Sequence, residues 1–387
     1  GGRSVLSEKF NRFLHFDPKR KLVRAEPGVT LGELYNFSIL HDLLPPVLAG
    51  YPDITVGGAV AMNIHGKNHY KKGNFGEHIH QLNLYHPRYG EIICSPIKNT
   101  EVFWLTVGGF GLTGHIISVD IALQPLASKA VLVEKHKVDC LEEAAKLLQD
   151  ASDKTDYSYS WHNLNKSNNK FGQGIVYLEQ HKKELNKVFP SSQKRSRINP
   201  NKSTHWSILN GFNIPLMCKL YYRKETWAQK KKIVDLYSAL FPIVSKEMYF
   251  KMFGKSGFRE YQALIPTEKW KKFTQELKNV IEESYSPISL ASLKIFKGSR
   301  KYLNFSGEGI SLAIDIPNDD RSLDLFGKID EIVAKNHGIA NIAKDSRLNA
   351  HVAHQMYGDQ YQEFRKELRK FDPENHFRSE LRKRLDV

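Results

Sequence analysis

Residues 63–80 read NIHGKNHYKKGNFGEHIH, with four histidines, three glycines and three lysines in that short span. Imidazole can ligate a metal, face a nucleic acid or line a cofactor pocket, and the neighbouring residues discriminate. A zinc reading would pair His65 with His69 one helical turn on and add His78 and His80. Gly66 and Gly73 interrupt such a helix, and no acidic or cysteine partner follows at a zinc-motif spacing, so no metal is expected. A nucleic-acid surface would carry more arginine and more stacking rings than Tyr70 and Phe75 supply, so no nucleic-acid partner is expected either. Two readings stay open: a surface loop that happens to carry histidines, and the wall of a cofactor or substrate pocket. The pocket is favoured because the small-residue run Thr55–Gly58 lies just upstream, and such residues let backbone come close to a ligand.

A second glycine-rich segment, TVGGFGLTGH (106–115), contains Gly109-x-Gly111-x-x-Gly114, formally the dinucleotide spacing. The adjoining HIISVDIAL is β-branched and alternating, so it predicts a strand where the dinucleotide motif needs a helix N-terminus. The segment reads as a glycine loop near a ligand, not as a Rossmann element. A third set is polar: Gln262, Lys294 and Asp315 sit inside otherwise apolar strands, and Lys344 directly follows another. Each alone would be a structural hydrogen-bonding residue, whereas four on one small sheet also suit a binding site; both readings stay open.

The elements that must position these groups are legible in part. KLVRAE (21–26) alternates as a strand, Pro27-Gly28 turns, and Thr30-x-x-Glu33 is a capping box opening a helix to about His41, ended by Pro45-Pro46. ITVGGAVAMNIHG (54–66) is too light for an ordinary strand or core helix. Residues 81–94 predict a hairpin around Arg88-Tyr89-Gly90, and 115–125 a further strand. From about 128 the composition shifts toward Lys, Asn and Tyr, and FPSSQKRSRINPNKST (189–204) reads as a surface loop. Between 260 and 343 the pattern is EYQALIP as strand, a helix 267–284 with Trp270, Phe273, Leu277, Val280 and Ile281 on one face, strands SLASLKIF and ISLAIDIP, a helix 321–337 stopped by Gly338, and a last strand GIANIA. That order, βαββαβ, is ferredoxin-like: its helices cover one sheet face and leave the other for a neighbour or a ligand.

At 387 residues, with 41% hydrophobic and 11% aromatic content, the chain is globular and long enough for two domains. No apolar run approaches membrane-spanning length and no signal-peptide pattern opens the chain, so a soluble protein is expected. Cys94, Cys140 and Cys218 are scattered and odd in number, which argues against a disulfide framework. The formal charge of +15 favours anionic partners. Its short runs (Lys182–Lys183, Lys230–Lys232, Arg365–Lys370) read mostly as solvated helix faces.

ITVGGAVAMNIHGKNHYKKGNFGEH and EVFWLTVGGFGLTG resemble the flavin-binding domain of the vanillyl-alcohol oxidase/p-cresol methylhydroxylase (PCMH-type) superfamily. More narrowly, HGKNH taken with AKDSR resembles the decaprenylphosphoryl-β-D-ribose 2′-oxidase group, and the similarity continues through REYQALIPTEKW, SLKIFKG, LAIDIP and KFDPENHFRSELRKRL. The resemblance implies an α+β, two-domain fold. Residues 1–127 would form an FAD-binding domain, 128–339 a substrate domain, and 340–387 a segment returning to the FAD domain. FAD is the implied cofactor, contacted by Gly50, Thr55, Val56, Gly57, Gly58, Met62, Asn63, Ile64, His65, Ile116 and Asn341. Lys344 and His65 would stand at the flavin as catalytic residues and His69 would orient the loop. Gln262, Lys294, Phe296, Asp315, Tyr249 and Lys251 would line the substrate pocket with Lys344.

The implied reaction is oxidation of a secondary alcohol of a phosphorylated or lipid-linked sugar to a ketone, with electrons passing to a quinone-like acceptor or oxygen and a partner NAD-dependent ketoreductase completing an epimerisation. The expected location is cytoplasmic or peripheral at a membrane. Three departures stand out. The chain opens GGRSVLSEKF where the group carries a G-R-S-Y-G-D loop on the FAD pyrophosphate, which reads as an incomplete N-terminal part, deleted or truncated. Ala313 stands where relatives have a cysteine, and Glu260 where glutamine is usual. The rival readings are an aldonolactone or alditol oxidase on the same fold, and a flavin-free binding protein.

Overall fold

The computed structural model describes residues 9–165, 171–182, 208–210, 213–244, 247–284 and 286–387; GGRS and the run expected at 189–204 lie outside the described residues. The chain divides into two compact units, Gly1–Ala127 with Ser299–Ser306 and Ser346–Val387, and Ser128–Gly298 with Gly307–Asp345. The excursion at Ser299–Ser306 has no counterpart in the sequence pattern. The return falls at Ser346 and not at about 340, because the strand at 339–340 pairs inside the second unit and Asn341 N donates to Gln262 O at 2.8 Å.

In the first unit, β1 (Phe13–Asp17) and β2 (Leu22–Ala25) form a hairpin, Val23 and Ala25 facing the core. α1 (Leu31–Ile39) starts where the capping box predicts: Glu33 N donates to Thr30 Oγ1 at 3.2 Å and Thr30 N to Glu33 Oε2 at 2.9 Å. After β3 (Leu43–Leu44), the stretch expected to be too light for a core helix forms one, α2 (Val56–Ala61), with Val56, Ala59 and Val60 fully buried. Its lightness is what admits it. Gly57 N donates to Pro27 O at 2.8 Å, and a Cβ on Gly57 would sit 2.8 Å from Pro27 Cβ, a distance real side chains do not tolerate. Then come α3 (His69–Lys72), the hairpin β4 (Ile79–His86) and β5 (Gly90–Cys94), α4 (Thr100–Thr106), β6 (His115–Ala122) and β7 (Gln124–Pro125). The glycine loop 106–114 leads into strand β6, so no helix follows it. The sheet order is β1-β2-β6-β4-β5, antiparallel throughout, and β3 pairs with β7.

The second unit is built on one eight-stranded antiparallel sheet. Its first half runs β8 (Ala130–Val138), α5 (Leu141–Ala151), β9 (Tyr157–His162), β10 (Gly174–His181), α6 (Asn213–Trp227) and β11 (Lys231–Asp235). After α7 (Leu236–Leu240) and α8 (Glu247–Lys251), the second half runs β12 (Phe258–Ile265), α9 (Trp270–Ser284), β13 (Leu290–Phe296), β14 (Gly309–Pro317), α10 (Asp320–Lys335) and β15 (Ile339–Ala340). The order β11-β8-β10-β9-β13-β14-β12-β15 places two βαββαβ sets edge to edge, each with its first strand between its third and fourth. At the seam Ala291 pairs with His162, and Leu293 N donates to Ser160 Oγ at 3.0 Å.

The two halves differ in their helices. α9 and α10 share one sheet face: Trp270, Phe273, Leu277 and Ile281 are buried, and Tyr261 OH donates to Asp330 Oδ1 of α10 at 2.8 Å. α5 joins them there, its Glu142 accepting from Thr274 of α9. α6 packs on the opposite face. Tyr221 meets Trp161 with ring centres 4.7 Å apart, and Glu225 accepts from Lys135 Nζ at 2.7 Å and Tyr177 OH at 3.2 Å, all on the same side by the cross-strand register. Lys231–Lys232, expected on a helix, open strand β11 instead; Arg365–Lys370 do lie in a helix.

The tail α11 (Ala350–Tyr357), α12 (Asp359–Phe371) and α13 (Glu380–Leu385) belongs to the first unit. It is clasped at Asp372, which accepts from His376 N and Nδ1 at 3.0 and 2.8 Å and from Arg382 Nη1 at 2.9 Å. Burial pushes this carboxyl up, but those donors outweigh it and hold it at about 2. Cys94, Cys140 and Cys218 are thiols. No helix among the described residues is long and apolar enough to cross a membrane.

Candidate active site

In the first unit, α2 and the loop after it form an accessible strip. Gly50, Thr55, Gly57, Gly58, Ile64 and His65 are half-buried and Met62 is exposed, while Val56 and Asn63 between them are buried. Thr55 caps α2 by accepting from Gly58 N at 3.2 Å; Val56 N donates to Val29 O at 2.7 Å. The first amides of α2 are therefore already engaged, and what the strip offers a ligand is lack of side-chain bulk. Asn63 takes a left-handed backbone (φ 42°) held by two contacts: its Oδ1 accepts from Gly76 N at 2.8 Å and its carbonyl from Asn74 Nδ2 at 2.6 Å. Ile116, on β6, is buried, and α2 packs against that strand.

The histidines of the loop take separate duties. His69 is buried with Nε2 2.8 Å from Asn74 Oδ1. His78 places Nε2 2.8 Å from Lys72 O, and burial lowers its pKa, so it is a neutral donor. His80 stands 3.3 Å from Arg20. His65 bridges to Asn74 through its backbone and faces Phe305, ring centres 5.7 Å apart. His69 and Asn74 thus brace the segment that presents His65. One cluster of possible metal ligands converges among the described residues, His86, Asp372 and His376. His376 and Arg382 already fill the Asp372 oxygens, which makes it the tail clasp described above.

In the second unit the register decides which side chains share a face. Glu260 lies opposite Asp315, Gln262 opposite Ala313, Lys294 opposite Ser311 and Phe296 opposite Gly309. Directly opposed residues point the same way, so Glu260, Gln262, Lys294, Phe296, Ser311 and Asp315 all lie on the face away from α9 and α10. Gln262 is fixed at both ends: Nε2 donates to Ser311 Oγ at 2.9 Å and Oε1 accepts from Asn341 Nδ2 at 2.9 Å. Asn341, expected with the first-unit residues, is tied here into the second. Lys344 pairs with Glu260, both partly exposed.

Asp315 is buried beside this pair. Its carboxyl is pushed well above the usual range, first by burial and then by Glu260, against the pull of Lys344 and Tyr249. The surrounding geometry agrees. Tyr249 OH lies 2.8 Å from Ser289 Oγ and 3.2 Å from Asp315 Oδ2, and Ser289 Oγ donates to Asp315 O at 2.9 Å. Two hydroxyl protons serve these three contacts, so the cluster has room for a proton on Asp315. Lys251 ends α8 two residues beyond Tyr249 and is half-buried; Phe296 is fully buried. Sequence reasoning misses Ser289 and Ser311, and it sees Glu260 only as a departure, not as the partner of Lys344.

Residues 2–94 match the FAD binding domain family. A strip without side-chain bulk, edged by Met62, Ile64 and His65, suits a flat cofactor; the cofactor is FAD, and the chain resembles the FAD-dependent oxidoreductases of the PCMH type. The particular likeness is to decaprenylphosphoryl-β-D-ribose oxidase of Mycolicibacterium smegmatis, 29% identical over all of this chain and 85% of that protein. An uncharacterized protein of Streptomyces coelicolor is 24% identical over 93% of this chain and its own full length. L-gulonolactone oxidase of Mus musculus is 29% identical over 30% of this chain and 26% of that enzyme.

Proposed function

We propose that the chain oxidises a secondary alcohol of a sugar to a ketone, and that the sugar is a polyprenylphosphoryl pentose oxidised at its 2′-hydroxyl. The observation that carries this reading is the Lys344–Glu260 pair on the sheet face that also bears Gln262, Lys294 and Asp315. Bound FAD supplies the hydride acceptor. As the carbinol carbon gives up hydride, the hydroxyl proton must leave to a base or to water. Lys344, paired with Glu260, stabilises negative charge on the oxygen, while Gln262, fixed at both ends of its amide, orients the ring. His65 would face the flavin, and Gly50, Thr55–Gly58, Met62–Ile64 and Ile116 would hold it. Lys294 and Lys251 would meet a phosphate as point charges, with Tyr249 and Phe296 walling the pocket. The electrons would pass to a quinone-like acceptor, and an NAD-dependent ketoreductase would complete an epimerisation.

The similarity to L-gulonolactone oxidase favours a second reading, an aldonolactone or alditol oxidase that uses oxygen. One experiment separates the two. The purified chain, with FAD, is mixed anaerobically with a polyprenylphosphoryl pentose or with an aldonolactone, and the flavin absorption is followed. Bleaching by the first substrate, weakened selectively by Lys294→Ala or Lys251→Ala, supports the phosphate-lipid sugar. Bleaching by the lactone alone rejects it. A colourless chain that takes up no FAD would leave only a flavin-free binding role.

A further inference from the structure

α6 turns its residues the opposite way from an ordinary surface helix. Its inward stripe is Ile214, Cys218, Tyr221 and Glu225; Tyr221 packs on Trp161, and Glu225 is held by Lys135 and Tyr177. Its outward stripe carries Leu216, Leu220 and Trp227, which are 52%, 55% and 88% exposed. Scattered exposed apolar residues are ordinary, but Leu216 and Leu220 on successive turns, with Trp227 two turns further along the same face, mark an interaction surface. Around them stand Lys219, Arg223 and Lys224, all exposed, and Lys232 lies on the same side of the sheet, whereas Lys230 and Lys231 pair with Glu134 on the other. Between residues 213 and 233 Glu225 is the single acid, and it points inward.

We propose that this outward face of α6, with its own cations Lys219, Arg223 and Lys224, docks on an anionic lipid bilayer. Leucine and tryptophan enter the boundary between headgroups and acyl chains, and the flanking cations meet negative headgroups. Charge decides between this occupant and a second copy of the chain, since a two-fold contact would press the same positive surface against itself. The inference does not depend on which sugar is oxidised.

The test is co-sedimentation of the flavin-loaded chain with phosphatidylcholine vesicles, with and without phosphatidylglycerol. Binding is expected only to vesicles containing phosphatidylglycerol, and it should weaken roughly tenfold or more between low and high salt. Replacing Leu216, Leu220 and Trp227 together by Gln should weaken it by about tenfold or more, and Lys219→Gln with Arg223→Gln and Lys224→Gln by less, with circular dichroism unchanged. Brominated lipids should quench tryptophan emission in the wild type and not in Trp227→Phe, which covers the case of a triple variant that misfolds. Absence of binding to anionic vesicles, or quenching that survives Trp227→Phe, overturns the proposal. So does a concentration-dependent dimer that the triple variant abolishes. No substrate is present, so failure here leaves the oxidation reading standing, and the reverse holds too.

Discussion

The two halves of the eight-stranded sheet share a strand order and use it for opposite ends. In the second half both helices cover one face, and the polar residues Glu260, Gln262, Lys294 and Asp315 gather on the other. In the first half α6 crosses to that other face and buries its polar residues, Lys135, Tyr177 and Glu225, beneath it. The same topology thus yields a chemical surface where a helix is withheld and a sealed ionic core where one is added.

The largest effect expected from breaking this contrast lies in the sealed half. Lys135→Ala leaves the half-buried Glu225 without its cation and should cost about 3 kcal/mol in denaturant unfolding, the low end for a buried pair, whereas Lys135→Met combined with Glu225→Leu should recover most of it. A loss near zero would mean that α6 does not seal that half.

The seam should respond to acid. His162 is buried with Nδ1 2.8 Å from Gly172 O and Nε2 2.7 Å from Ser160 Oγ, and burial pushes it down to about 4. The unfolded chain then takes up protons first as pH falls through the ordinary histidine range. The stability due to neutral His162 is complete above that range and is lost by about pH 4, about 3 kcal/mol in all. Urea midpoints across that window should fall less steeply in His162→Gln.

In the open half, Lys344→Ala should retain FAD yet lower turnover by about 100-fold, equivalent to about 2.7 kcal/mol of transition-state stabilisation. Single-turnover flavin reduction measures it; an unchanged rate removes Lys344 from the mechanism. At about pH 4 and below, Asp315→Asn should be the mildest change, within about 1 kcal/mol, because the carboxyl is protonated there in the folded and the unfolded chain alike. Its pH dependence gives the sharper reading. A raised folded pKa means stability present at acid pH and lost as pH climbs through that pKa, so the Asn variant should gain on the wild type from acid to neutral pH. A constant difference would show Asp315 charged in the fold.

Legibility in the sequence divides the same way. α9 and α10 are legible because their apolar residues recur at helical spacing toward the core, and Thr30 with Glu33 marks the start of α1. α6 hides because its buried stripe contains Tyr221 and Glu225 while Leu216, Leu220 and Trp227 face outward, so the apolar period points the wrong way. α2 is misread because its buried residues are small. Gln262, Lys294 and Asp315 stand out as polar residues in apolar strands. The Glu260–Lys344 pair, the Ser289–Asp315 contact and the approach of His86 to Asp372 join residues far apart in sequence, and only the fold brings each together.

The path of the chain between units sets a timetable. Residues 50–65 are made before the last segment of the first unit, Ser346–Val387, which begins only about 220 residues beyond Ala127. At ribosomal speeds of about 5–20 residues per second that delay is about 10–40 s. During it the half-built first unit exposes the apolar surfaces that α11 and α12 later cover at Ala353, Tyr357 and Phe364. A nascent chain halted before Ser346 should therefore present a long-lived target for holdase chaperones, although its second unit is almost entirely made.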